Sequence, residues 1–189
     1  EKIIIVPTGV SPFKKELTNE KTRLSILQIA FSNDQYEISD YELRQSKKDK
    51  NPSYTINTLK FLTKKSPSSF VLIMGSDALA TINRWYQWEM ILNYCHILVV
   101  SRKEDDLKIN GLEPKVFDFV TKHKIDKLED LSIKDKGGIY FAKFPLLPFS
   151  STDIRTKMSQ KKSIENLVTP EVSDFIKKTA SYTSDGHKI

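Results

Sequence analysis

The stretch LLPFSSTDIRTKMS, Leu146 to Ser159, ends an apolar run and begins a helix-like pattern. Ser150 or Ser151 is placed to cap that helix. A helix N-terminus presents free backbone N–H groups and a partial positive charge. Hydroxyl donors beside them, with Arg155 one turn later, suit phosphate oxygens. A plain capped helix whose arginine pairs with a surface carboxylate would read the same. Taken alone, the stretch favours that plainer reading.

Four other stretches carry similar chemistry. In VLIMGSDALATINRWYQW (71–88), a strand-like run ends at Gly75, which allows close backbone approach by a ligand. Asp77 then stands where it could cap a helix or accept hydrogen bonds from a ribose. Trp85 and Tyr86 offer a flat stacking surface, whereas Trp88 reads as core. NPSYTINTL (51–59) puts Ser53 and Thr55 on a first helical turn, as caps or as a polar rim for a sugar phosphate. IIIVPTGVSPFKK (3–15) ends with Lys14 and Lys15, point charges for a polyphosphate or simply a solvated loop. VVSRK (99–103) ends a strand at Arg102, a guanidinium able to stack on a base or hold phosphate.

These groups need a scaffold. The runs IIIVP (3–7), FVLIMG (70–75) and HILVVSR (96–102) are apolar on both faces, as in parallel strands covered by helices. GIYFAKF (138–144) is a fourth strand and YEIS (36–39) a shorter one. Helical patterns fill 19–32, with Leu24, Leu27, Ile29, Ala30 and Phe31 on an apolar face, and 53–65, with Tyr54, Leu59, Phe61 and Leu62. Further helices are expected over 85–94 and over 169–180, where Thr169 caps and Pro170 opens. The charged stretch 104–136 reads as surface helices and loops. The alternation predicts an α/β fold with a mainly parallel sheet and helices on both faces. Ligands in such sheets bind beyond the carboxyl ends of the strands, and four of the five stretches follow predicted strands. The expected organisation is a single domain over 1–180 with a flexible tail, 181–189.

Composition narrows the classes. The chain has 189 residues and a net charge of +6, from 30 Lys+Arg against 24 Asp+Glu. That mild excess suits anionic small molecules, and nucleic acid too. However, the basic residues are scattered, and neither a basic-aromatic stripe nor a helix-turn-helix pattern supports a nucleic-acid partner. No apolar run has the length of a membrane span. The one cysteine, Cys95, excludes a disulfide framework and a cysteine-based zinc site, and a reducing cytoplasm is the expected compartment.

In order, the proline loop with lysine, SYTINTL, GSDAL with the following WYQW, SR and SSTDIR resemble nicotinate-nucleotide adenylyltransferase, of the nucleotidyltransferase superfamily. The resemblance runs from Ile3–Val6 to Val172–Ile176. It implies a Rossmann-like fold. It also implies a reaction, in which nicotinate mononucleotide attacks the α-phosphate of ATP, accompanied by Mg²⁺, and pyrophosphate leaves. It further implies that Trp85 stacks on the pyridine ring and that the backbone near Tyr86 faces the nicotinate carboxylate. By the same resemblance Thr55 helps hold the mononucleotide, and Gly75 and Asp77 contact the nucleotide backbone and ribose. Arg102 lies near the adenosine, and Lys14, Ser150, Ser151 and Arg155 serve the ATP.

Two departures accompany it. The family's His-x-Gly-His segment is absent, since the three histidines are His96, His123 and His187. No catalytic residue is therefore assigned, the chain alone is expected to be nearly inactive, and a further strand and helix are expected ahead of Glu1. Phe13 stands where the family usually carries histidine before the lysine. The alternatives are adenylylation of nicotinamide mononucleotide or phosphopantetheine, or a nucleotide-binding module without catalysis.

Overall fold

The computed structural model describes residues 2–13, 18–49, 51–101, 109–142, 149–179 and 181. The chain divides into two compact units, one comprising Glu1–Ser53 with Phe149–Ile189 and the other Tyr54–Pro148. Among the described residues no helix is long and apolar enough to cross a membrane.

In the first unit, strand β1 (Ile3–Ile5) pairs in parallel with β2 (Tyr36–Ile38). Helix α1 (Glu20–Ala30) connects them, its N-terminus capped by Asn19, whose side chain accepts from the Lys21 N–H. Helix α2 (Tyr41–Asp49) follows. After the second unit the chain returns as a helix over Ser151–Ser159 and another over Pro170–Thr179. A small core of Ile164, Val172 and Ile176 joins them to Ile26, Ile29 and Ala30 of α1 and to Ile154 and Met158. Of the apolar face expected on α1, Ile29 and Ala30 pack here together with Ile26, while Phe31 packs on Tyr36 with ring centroids 4.9 Å apart.

The second unit opens with α3 (Thr55–Lys65), then β3 (Val71–Gly75) and the short α4 (Ser76–Ala80). Next come β4 (His96–Val100), α5 (Pro114–His123), β5 (Lys124–Ile125) and β6 (Ile139–Ala142). In chain order the two later helices of the first unit are α6 (Ser151–Ser159) and α7 (Pro170–Thr179). The four strands form one sheet, ordered β3-β4-β6-β5, with every pairing parallel. Alternation decides the faces. Met74, Ile97, Val99 and Ile139 point into one core, which also holds Ile56 and Leu59 of α3 and Val116 and Val120 of α5. On β3 the other face carries Val71 and Ile73, both exposed.

The mainly parallel α/β expectation therefore holds, divided between two sheets. The helix expected over 85–94 is different. It is a pair of tight turns, with a 3₁₀ segment over Trp88–Asn93, because Gln87 takes a left-handed backbone that an α-helix excludes.

Candidate functional site

The carboxyl ends of β3 and β4 lie side by side, where the Ser76 hydroxyl donates to that of buried Ser101 at 3.4 Å. Gly75 ends β3 and precedes α4 without any side-chain cap. Asp77 is therefore not the cap that its position suggested. It lies in the first helical turn, exposed, and its carboxylate folds back over Gly75. A Cβ on Gly75 would strike Asp77 Oδ1, so glycine at this position makes room for that carboxylate. Arg102, next after Ser101, lies outside the described residues, as do Lys14 and Lys15.

Thr55 is the first residue of α3, and Tyr54, not Ser53, is the N-cap residue. Tyr54 contributes no side-chain cap, which leaves α3 with unsatisfied N–H groups at its start. The Ser53 hydroxyl is used otherwise: it accepts from the Gly9 N–H at 3.2 Å, while the Ser53 N–H donates to the Val10 carbonyl at 2.7 Å. This double bond ties the loop after β1 to residue 53. Phe13 of that loop is 60% exposed.

Trp85 packs half-buried against the core, while Tyr86 is exposed. The Tyr86 ring lies 4.7 Å from that of Tyr54, tilted, so the start of α3 and the 85–88 segment are neighbours. That segment is a tight turn in which the Trp88 N–H donates to the Trp85 carbonyl at 3.2 Å. Among the described residues, no acceptor meets the N–H groups of Tyr86 and Gln87. The turn thus carries two N–H donors available for hydrogen bonding next to two aromatic side chains. Trp88 packs edge-on against Phe119 at 4.8 Å, as a core residue does.

In the first unit, Ser150 caps α6 through a reciprocal capping box. Its hydroxyl accepts from the Asp153 N–H at 3.3 Å, and Asp153 Oδ2 accepts from the Ser150 N–H at 2.6 Å. Of the two candidates, the cap is Ser150, which leaves the exposed Ser151 hydroxyl without a partner among the described residues. Arg155 donates to the Thr152 hydroxyl at 3.2 Å and has no carboxylate partner among the described residues. The guanidinium therefore lies along the first turn of the helix.

Several contributors escaped sequence reasoning. Tyr54 packs on the turn, Gln87 lies within it, and Lys60 on α3 donates to Gln87 Oε1 at 3.1 Å. A positive φ on glutamine has no sequence signature. The tyrosine before Thr55 was legible only as an apolar helix position.

The cytidylyltransferase-like family profile matches residues 1–157. A protein of Psychromonas ingrahamii named probable nicotinate-nucleotide adenylyltransferase is 33% identical over 185 residues, covering 96% of this chain and 83% of its own length. One of the same name from Yersinia pestis is 29% identical over 186 residues, covering 96% and 82%. Among solved structures, Plasmodium falciparum nicotinic acid mononucleotide adenylyltransferase complexed with NaAD has the same fold, with a TM-score of 0.66 at 18% identity over 96% of this chain and 82% of that one. By the reach of the profile and the identity to the Psychromonas protein, the chain belongs to the cytidylyltransferase-like family and, within it, to the nicotinate-nucleotide adenylyltransferases.

Proposed function

We propose that this chain transfers the adenylyl group of ATP to nicotinate mononucleotide. A phosphate oxygen of the mononucleotide attacks the α-phosphorus and a new P–O bond forms. The bond from that phosphorus to the α–β bridging oxygen breaks, and pyrophosphate leaves. Mg²⁺ enters as part of the ATP substrate. Such a transfer needs no protein nucleophile; positioning and charge stabilisation carry it.

The observation that carries this reading is the 85–88 turn. Its Tyr86 and Gln87 N–H groups have no acceptor among the described residues, and the same turn carries the rings of Trp85 and Tyr86. A carboxylate accepts from both donors, whereas a carboxamide can turn only its oxygen toward them. In this reading Trp85 stacks on the pyridine, and the Tyr86 backbone holds the carboxylate. The Thr55 hydroxyl, with no partner among the described residues, helps hold the mononucleotide. Gly75 and Asp77 meet the nucleotide backbone and ribose, and Arg102 the adenosine. Lys14, Ser150, Ser151 and Arg155 serve the phosphates of ATP. The role of Ser151 and Arg155 is supported by their having no partner among the described residues other than Thr152. The single buried thiol, Cys95, suits a reducing cytoplasm.

Pyrophosphate release with ATP and each acceptor tests the reading. Nicotinate mononucleotide should be used well ahead of nicotinamide mononucleotide. Preference for the amide would transfer the chain to the sister activity, and turnover with phosphopantetheine alone would refute the assignment.

A further inference from the structure

The third position of a tight turn with positive φ ordinarily takes glycine or asparagine. Here it is Gln87, at φ 51° and ψ 38°, and Lys161 is the one other non-glycine residue with positive φ among those described. Backbone strain of this kind persists when the surroundings hold it in place. The hold comes from α3. The Gln87 carboxamide oxygen accepts from Lys60 Nζ at 3.1 Å, and its nitrogen donates to the Tyr86 hydroxyl at 3.3 Å. Lys60 also lies 6.0 Å over the Tyr94 ring, which restrains the ammonium from its other side. Near the other end of the same helix, Tyr54 packs on Tyr86. Helix α3 is itself immobilised by Ile56 and Leu59, which are buried in the core. The turn is therefore gripped at two adjacent residues by one rigid element; the peptide between them carries the Gln87 N–H and the peptide just before them the Tyr86 N–H, neither with an acceptor among the described residues.

We propose that Gln87 is a positioning and specificity-determining residue: its left-handed backbone, anchored through Lys60, aims the Tyr86 and Gln87 N–H groups so that the turn selects a carboxylate over a carboxamide on the pyridine. The inference rests on the acceptor assignment made above. It assigns Gln87 no contact with the reacting phosphates. Its loss should therefore alter recognition of one substrate and leave the chemical step alone.

Three changes separate the parts of the device. Q87G keeps a backbone that accepts positive φ and removes the carboxamide. K60M leaves the turn intact and removes the anchor. Q87V puts a β-branched side chain where positive φ is strongly disfavoured. In the full-length chain, Q87G and K60M should each raise KM for nicotinate mononucleotide about three- to tenfold, and Q87V by more than tenfold. KM for ATP and kcat should stay within about twofold, and the acid-over-amide preference should fall by the same factor as KM rises. The K60M/Q87G double variant should be no worse than either single one, because both remove one interaction. K60R, which retains a donor for Gln87, should behave like the wild type.

Calorimetry with nicotinate mononucleotide alone distinguishes the two levels of the argument. A wild-type chain that fails to bind it overturns the acceptor assignment and this inference together. Binding by the wild type, with acid-over-amide preference unchanged in Q87G and Q87V, overturns this inference only. Equal KM increases for ATP and the mononucleotide, or additive losses in the double variant, overturn it as well. Circular dichroism and the thermal midpoint of each variant show whether it is folded.

Discussion

His96, the first residue of β4, is 1% exposed and uses both ring nitrogens on backbone groups. Nδ1 accepts from the Gly138 N–H at 2.9 Å, and Nε2 faces the Lys134 carbonyl at 2.8 Å. A backbone N–H can only donate, so the ring proton belongs on Nε2, which donates to Lys134. The ring thereby fastens the loop that leads into β6 onto the start of β4. His96→Leu removes both bonds, with unequal consequences. Gly138 is buried, so its N–H is left unsatisfied, at about 1–3 kcal/mol. Lys134 is exposed, its carbonyl can turn to water, and only the net bond, about 1 kcal/mol, is lost. The expected destabilisation is about 2–4 kcal/mol. With a urea slope near 2 kcal/mol/M, the midpoint falls by about 1–2 M. Asparagine can place its oxygen close to the Nδ1 position and keep the Gly138 bond, so His96→Asn should cost only about 1 kcal/mol. Glutamine reaches toward the Nε2 position and abandons Gly138, so His96→Gln should resemble His96→Leu. Urea titrations followed by tryptophan fluorescence report on this unit, since Trp85 and Trp88 both lie in it. Equal losses for the Asn and Leu variants would show that the buried Gly138 donor is not what the histidine satisfies.

Burial pushes the Cys95 thiol up from 9.0 to about 12, opposed by a hydrogen bond from the Leu72 backbone. The unfolded thiol ionises first, so its contribution is complete below pH 9 and is lost as pH rises toward 12, at about 1.4 kcal/mol per pH unit. Between pH 8 and pH 10 the wild type should therefore lose about 1 kcal/mol more stability than Cys95→Ala, as read from urea midpoints; parallel curves would contradict this. A Cβ at Gly9 would meet the Glu42 carbonyl, with Ser46 Oγ at 2.7 Å. Gly9→Ala should cost about 1–3 kcal/mol because backbone has to shift, and an unchanged thermal midpoint would mean that α2 does not confine this loop. Ser150→Ala breaks the capping box and should cost about 1 kcal/mol in thermal or urea unfolding. Arg155→Ala should raise KM for ATP about tenfold while leaving that for the mononucleotide unchanged; in steady-state kinetics, an equal rise for both substrates would remove Arg155 from the ATP phosphates.

Much of the scaffold was legible because it depends on local rules. Runs of β-branched residues marked β1, β3 and β4. The serine pair 150–151 marked the start of α6, where the structure chooses Ser150 as the cap, and Thr169 with Pro170 marked the start of α7. The cap of α3 was misplaced because Ser53, the residue type that usually caps, is occupied by a bond to Gly9, 44 residues earlier in the chain. Asp77 was read as a possible cap, yet its carboxylate lies over Gly75. Apolar spacing over 85–94 suggested a helix and became 3₁₀ turns. Spacing reports which side chains seek the core, and a 3₁₀ turn meets that demand as well as an α-helix does.

The amino-acid order alone determined that this chain builds parallel strands joined by helices, with hydroxyls, a guanidinium and aromatic rings at the strand ends, because strand, helix and cap preferences act over a few residues. Tertiary structure decided which of those groups are occupied and which are free. Ser53 and Ser150 are used within the fold, whereas among the described residues Thr55, Ser151 and two N–H groups on the 85–88 turn have no partner. The physical reason is that a hydrogen-bond partner can come from any distance along the chain. Whether a polar group is free for a ligand is therefore settled only once the whole backbone is in place.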